Sequence, residues 1–273
     1  MSNLPKSIYH FSFVILFGLV VACKTQQKSV NAQQNAPIVL QGPAWAAAWQ
    51  QKAGEYRALC FQAYSLAKTR LDILLQQEHV KPPAIVTDID ETILDNSPYQ
   101  IHQALQNEEY SDASWMEWTA KIDCDTVPGA LSFLRYAKSK GVAIFYITNR
   151  LEAERDPTLK DLQRWGFPDA VNDHLTLKTT TSNKDLRRKN VMDNHEVLLL
   201  LGDNLGDFSG IFDKIPVTER NDLVQDNSWK FGSRFIVLPN VMYGSWDGAI
   251  YNYDHKLSAE GKEKAIIHSL KKY

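Results

Sequence analysis

Two aspartates, Asp88 and Asp90, close an apolar run in the stretch AIVTDIDETILDN. In an extended chain their side chains would share a face, and like charges held that close repel each other. A solvated strand end would tolerate this, and so would a site with a cation between them. A second acidic pair, Asp203 and Asp207 in GDNLGD, follows the apolar run EVLLLL. Its spacing of four puts both on one face if the chain turns into a helix there. A strand-end aspartate is a competent nucleophile for phosphoryl transfer, forming an aspartyl phosphate. Because a phosphate ester is already anionic, a divalent cation must bridge it to the carboxylate, and Mg²⁺ prefers carboxylate, carbonyl, phosphate and water oxygens. The transferring group then needs hydroxyl, amide and cationic donors. Thr148, Asn149 and Lys184 are the candidates.

Taken singly, each feature has a plain alternative. Asp203 and Asp207 could be a turn and a helix cap. Thr148-Asn149 could start a loop, and Lys184 lies beside Arg187, Arg188 and Lys189, most of which read as a solvated helix face. Their joint occurrence in this order favours the chemical reading.

The elements that must position these residues follow from pattern. Trp49, Tyr56, Cys60, Tyr64 and Leu71 recur at helical intervals, which predicts a helix from Trp45 to about Gln77, with Gly54 as its weak point. Strand patterns occur at AIVTDI, VAIFYIT, HLTLK, EVLLLL and RFIVLPN. Helical patterns lie between them, at Pro128–Ser139, Pro157–Trp165 and NKDLRRKNVMD, and a charged helix runs from about Ser258 to the end. This alternation predicts an α/β fold, a mostly parallel sheet flanked by helices. Ligands bind such sheets at the carboxyl ends of the strands, where IVTDIDET, IFYITNR and LLLLGDNLGD place their polar residues.

The chain of 273 residues carries a net charge of −2, with charged residues interspersed, which argues against a nucleic-acid polymer as partner. At the N-terminus Lys6 precedes the apolar run FSFVILFGLVVA, too short to span a bilayer as a stable helix, and a polar stretch follows. That is the pattern of a secretory signal. The residues Val20-Val21-Ala22-Cys23 resemble a bacterial lipobox, which makes residues 1–22 a lipoprotein signal peptide and Cys23 the lipidated first residue of the mature protein. Residues 23–42 read as a flexible tether to the membrane, and residues 43–273 as the folded domain. Cys60 and Cys124 are too few for a disulfide framework and read as two buried small side chains.

The stretches DIDETILDN, SWMEW, PGALSFL, FYITNR, GDNLGDF and LPNVMYGSWDGA together resemble the class C (lipoprotein e type) bacterial acid phosphatases and 5′-nucleotidases of the haloacid dehalogenase (HAD) superfamily, over about residues 80–250. The resemblance implies a Rossmann-like HAD core with a small, mainly helical cap domain, here about residues 43–77 and 97–127. It implies Asp88 as nucleophile and Mg²⁺ ligand, and Asp90 as general acid and base with its backbone carbonyl on the metal. Asp203 becomes a further metal ligand with Asp207 in support, Thr148, Asn149 and Lys184 bind phosphate, and Thr92 ties down the first loop. Trp115 and Tyr243 match the positions that sandwich a nucleotide base, although packing is the alternative role for these rings. Export to the cell envelope, with outer-membrane placement through the lipid anchor, and a homodimer are implied in the same way. Glu91 should point away from the site, and Asp95 has no assigned role. The expected function is Mg²⁺-dependent hydrolysis of phosphomonoesters, nucleoside 5′-monophosphates among them, with an acidic-to-neutral optimum because Asp90 must carry a proton before attack. Two alternatives stay open: a phosphatase of other small organic phosphates, and a non-catalytic ligand-binding lipoprotein on the same fold.

Overall fold

The computed structural model describes residues 38–273. The expected signal peptide and lipidation site, residues 1–22 and Cys23, lie outside the described residues. Five strands form one parallel sheet: β1 (Pro83–Thr87), β4 (Ala143–Leu151), β5 (Leu175–Lys178), β6 (Glu196–Gly202) and β7 (Phe235–Val237), in the spatial order β5-β4-β1-β6-β7. The remaining two, β2 (Leu94–Asp95) and β3 (Asp125–Thr126), pair antiparallel beyond the end of β1. Central β1 aligns Thr87 with Tyr146 of β4 and with Leu201 of β6. All five carboxyl ends therefore reach one edge of the sheet, with those of β4 and β6 on either side of Asp88 and Asp90.

The helices are α1 (Ile38–Lys52), α2 (Gly54–Leu74), α3 (Ser97–Gln106), α4 (Asp112–Thr119), α5 (Ala130–Ser139), α6 (Arg155–Trp165), α7 (Asp185–Asn194), α8 (Val217–Asp226), α9 (Ser245–Ile250) and α10 (Ala259–Ser269). Tyr56, Cys60, Tyr64, Ala67 and Leu71 of α2 form an apolar stripe at helical spacing. It packs in the main core with Ile85 and Ile89 around β1, Leu199 and Leu201 of β6, and Phe133 of α5. The opposite face of the sheet is covered by Val86, Ile147, Val191, Leu200, Phe208 and Phe235. Successive β1 residues thus feed both layers, as strand alternation requires.

The helix predicted as continuous from Trp45 is two helices. Ala53 is extended (φ −81°, ψ 127°) and separates α1 from α2. The break lets the two segments face different partners: α1 lies along α3, where its Ala46 and Ala47 pack with Met242, while α2 lies on the sheet. Residues 38–42, expected in the tether, open α1, and α8 carried no apolar period strong enough to predict. Cys60 and Cys124 are both free and buried. No helix among the described residues is long and apolar enough to cross a membrane.

Candidate active site

Asp88 extends the β1–β6 ladder by one bond, its N–H donating to the Leu201 carbonyl at 2.9 Å, which fixes its side chain at the sheet edge. The Lys184 ammonium, at the start of α7, bridges Asp88 Oδ1 and Asp207 Oδ1, the latter at 2.7 Å. Thr92 Oγ1 lies 3.3 Å from Asp88 Oδ2 and from Asp203 Oδ1, so the threonine ties the first loop to β6 as expected. Asn240, just past β7, donates to Asp203 Oδ2 at 2.7 Å. One carboxylate oxygen from each of Asp88, Asp203 and Asp207 lies within 4.8 Å of the others. Burial pushes the Asp88 carboxyl up to about 7 against the opposing pull of Lys184, with Asp207 and Asp90 adding to the rise. Burial, Asp207 and Asp88 push Asp203 well above the usual carboxylate range. Three carboxylates with one ammonium are short of positive charge, and a hard divalent cation satisfies such an all-oxygen set.

The GDNLGD loop turns through one 3₁₀ turn at Leu205–Asp207. Asp207 reaches back over Gly202, where an added Cβ would lie 2.4 Å from the Asp207 Cβ, so this close approach requires glycine. The other Asp207 oxygen accepts the Asn204 N–H at 2.9 Å. Arg188, expected on a solvated helix face, is instead buried, and its Nη1 donates to the Gly206 and Asp207 carbonyls at 2.8 Å each. Arg187 similarly donates to the Thr148 carbonyl and to Asn149 Oδ1, at 2.5 and 2.6 Å. The basic run of α7 is therefore part of the scaffold that holds two strand ends, and Lys189 is the exposed member.

Asp90 faces the β4 side. Arg150, whose side chain is fully buried, forks onto it with Nη2 at 2.7 Å and Nε at 3.0 Å from Oδ1. Asn96 Nδ2 donates to Oδ1 at 3.0 Å and Thr148 Oγ1 to Oδ2 at 3.3 Å. Sequence reasoning missed Arg150 and Asn96. The signal for Arg150 was strand alternation, since it lies two residues after Thr148 and shares its face. Asn96 offers none of its own. It is held by the Trp118 indole, which donates to its Oδ1 at 2.8 Å.

A cavity of about 690 Å³ opens onto Asp88, Asp90, Lys184 and Asp203, and Asn149, Trp115 and Tyr243 share its wall. The structure thus brings the predicted residues together, with Thr148 fully buried beneath the surface. Trp115 packs edge-on to Tyr99, centroids 4.9 Å apart, so one side of its ring is committed to packing. Trp246, by contrast, is exposed. Glu91 is buried and accepts a hydrogen bond from the Tyr243 phenol, with Asp90 and Asp203 near enough to push its carboxyl up. Asp95 Oδ1 accepts Gln50 Nε2 at 2.7 Å and the Ser97 N–H at 2.8 Å, which ties α1 to the start of α3.

Comparison with known proteins bears on the chain as a whole. The class C acid phosphatase from Bacillus anthracis matches with a TM-score of 0.83 and 41% identity, covering 86% of this chain and 99% of that one. A structure of that protein with tungstate bound matches at the same identity and TM-score, over 98% of its length. "Acid phosphatase 1" of Solanum lycopersicum is 27% identical over 165 residues, and the "Stem 31 kDa glycoprotein" of Glycine max 26% over 161 residues. The alignments span 58% and 57% of this chain and 57% of each plant protein. A model of the HAD superfamily, subfamily IIIB (Acid phosphatase), matches residues 15–246, and the chain belongs to that family.

Proposed function

We propose that the chain is a phosphomonoesterase that works through an aspartyl phosphate on Asp88. The observation that carries this reading is the convergence of Asp88, Asp203, Asp207 and Lys184 on one cavity at the sheet edge, in a chain of an acid phosphatase family. Asp88 and Asp203 would hold Mg²⁺ together with the Asp90 backbone carbonyl, and Asp207 supports the shell by holding Lys184. When bound, the ion offsets the negative charge of the carboxylates and of the phosphate, which makes attack by an anion feasible.

Each side chain then has a task. Asp88 attacks phosphorus through the oxygen that does not bind Lys184. The Lys184 ammonium, an Asn149 amide hydrogen and backbone N–H groups at the end of β4 stabilise charge on the phosphoryl oxygens. Asp90 donates a proton to the leaving alkoxide and later takes one from the attacking water. Oδ1 accepts Arg150 and Asn96 at 3.0 Å or less, whereas the contacts of Oδ2, from Thr148 Oγ1 and Arg150 Nε, are 3.3 Å each, so Oδ2 is the less tightly held oxygen and the one assigned the proton.

Nucleoside 5′-monophosphates are the proposed substrates, because Trp115 and Tyr243 both line the cavity that holds Asp88 and Asp90, and stacking is worth about 1–3 kcal/mol per base. We place the protein in the cell envelope through a lipid on Cys23, with the outer membrane as its site, and as a homodimer. A screen of phosphate release from phosphomonoesters, with and without Mg²⁺, tests the assignment. Activity should need the ion and fall by about a thousandfold or more in Asp88→Asn. An active Asp88→Asn protein overturns the mechanism. Tyr243→Ala should raise KM for nucleotides far more than for p-nitrophenyl phosphate, and equal effects would remove the base-stacking role.

A further inference from the structure

Glu91 follows Asp90 in the chain and has no part in the chemistry above. Two features make it costly to keep. Its backbone is left-handed (φ 58°), a conformation that crowds the Cβ of any residue but glycine. Its side chain is also fully buried, and among the described residues no cation contacts it. A buried carboxyl without a cation must be satisfied by hydrogen bonds. Glu91 Oε1 accepts the Asn96 N–H at 2.7 Å, Asn96 Nδ2 lies 3.4 Å from Oε2, and the Tyr243 phenol donates to Oε2. The Glu91 N–H donates to the Leu94 carbonyl at 2.8 Å, which closes the turn. Strain of this kind persists where neighbours over-determine it, and it gathers at functional sites.

The third feature is where Tyr243 goes. Its ring lines the cavity, yet its hydroxyl leaves the cavity to reach a residue 152 positions earlier. The backbone beside it is fixed as well: the Met242 N–H donates to Asn240 Oδ1 at 2.9 Å, and the same Asn240 side chain holds Asp203. The ring is thus anchored at both ends, by its backbone to the β6–β7 side and by its phenol to the loop after β1.

We infer that Glu91 is a positioning residue for substrate specificity, pinning the Tyr243 ring in the plane that receives a flat aromatic or heteroaromatic group on the alcohol side of the substrate. The inference rests on the reading above that Tyr243 receives the base. Asn96 sits at the junction, because its backbone serves Glu91 while its side chain serves Asp90. The aromatic wall and the proton donor are consequently registered to the same turn, so a leaving group seated on the ring is presented to Asp90 at a fixed distance.

The test measures kcat and KM for a nucleoside 5′-monophosphate and for glycerol 2-phosphate, which has no ring, using the full chain with Mg²⁺. Tyr243→Phe keeps the ring and removes the pin. It should raise the ratio of the two KM values, nucleotide over glycerol phosphate, by about tenfold, the usual effect of losing a buried hydrogen bond. Glu91→Gln retains an acceptor for the phenol and should change that ratio by less than about twofold. Glu91→Leu removes the acceptor and should raise the ratio about as much as Tyr243→Phe does, and the two together should raise it no further. A wild-type ratio in Tyr243→Phe alongside a raised one in Tyr243→Ala would sink the pin and leave stacking intact. An unmoved ratio in both would remove the stacking reading and the pin with it. Additive effects of Glu91→Leu and Tyr243→Phe would show that Glu91 acts elsewhere, and would also overturn the inference.

Discussion

Asp88 and Asp90 are two residues apart, yet they live in opposite electrostatic settings. Asp88 faces β6, whose end brings two more carboxylates, Asp203 and Asp207, and among the described residues one cation, Lys184, pairs with Asp88 and Asp207. Asp90 faces β4, whose Arg150 gives it a forked guanidinium, with Asn96 and Thr148 completing the shell. The first side is short of positive charge and suited to a bound cation and an incoming anion. The second side is already satisfied and suited to holding one carboxylate in a fixed orientation. The sheet order produces the contrast: one strand end with different neighbours to left and right can supply two aspartates with two tasks.

Removing the cation on each side should therefore do different things. Lys184→Met should lower kcat by about 10²–10³-fold, because it takes away the ammonium nearest the attacked phosphorus. With saturating Mg²⁺ its melting temperature should stay near that of the parent chain, since the ion supplies charge to the same carboxylates. Arg150→Met leaves Asp90 and Thr158 without their buried partner. Breaking a buried pair costs about 3–5 kcal/mol, which for a domain of this size is a fall in Tm on the order of 10 °C. No Mg²⁺ concentration should restore it. If Arg150→Met keeps its Tm and Lys184→Met loses it at saturating Mg²⁺, the two sides have been assigned the wrong way round.

What could be read from the sequence follows the same division. The strands were legible because EVLLLL and VAIFYIT are buried runs bounded by polar ends, and parallel order then forces those ends to one edge. Asp88, Asp203, Asp207 and Lys184 were legible because acidic and basic residues directly at strand ends have few other uses. Arg150 was harder, since an arginine after Thr148-Asn149 reads as a loop charge until strand β4 is seen to run on to Leu151. Arg188 was hidden inside a basic run whose average character is solvated. Glu91 and Asn96 could not be assigned at all. Their roles depend on a left-handed turn and on Tyr243 arriving from the far end of the chain, and neither leaves a local period. The split of the first helix at Ala53 was invisible for a related reason, because which face packs on α3 and which on the sheet is decided by tertiary contact.

The smallest effect separates the two sides by titration. Burial raises the folded-state pKa of Asp88 from 3.8 to about 7. Below about pH 4 the group is protonated in both the folded and the unfolded chain, and its contribution to stability is fully present. Between about pH 4 and pH 7 the unfolded chain gives up the proton while the folded one keeps it, so stability is lost across that window and levels off above it. Asp203 and Glu91 are raised in the same sense by burial and by neighbouring carboxylates. A cation on Asp88 and Asp203 would reverse the effect, because it favours the ionised form that burial disfavours. Chelated protein should thus lose a few degrees of Tm relative to Asp88→Asn between about pH 4.5 and pH 7.5, and saturating Mg²⁺ should shrink that difference. The Asp88→Asn reference removes this one titration and leaves the others in place. Equal pH slopes for the two proteins under chelation would mean that the carboxylates beside β6 are not short of positive charge, and the contrast between the two sides would fail at its base.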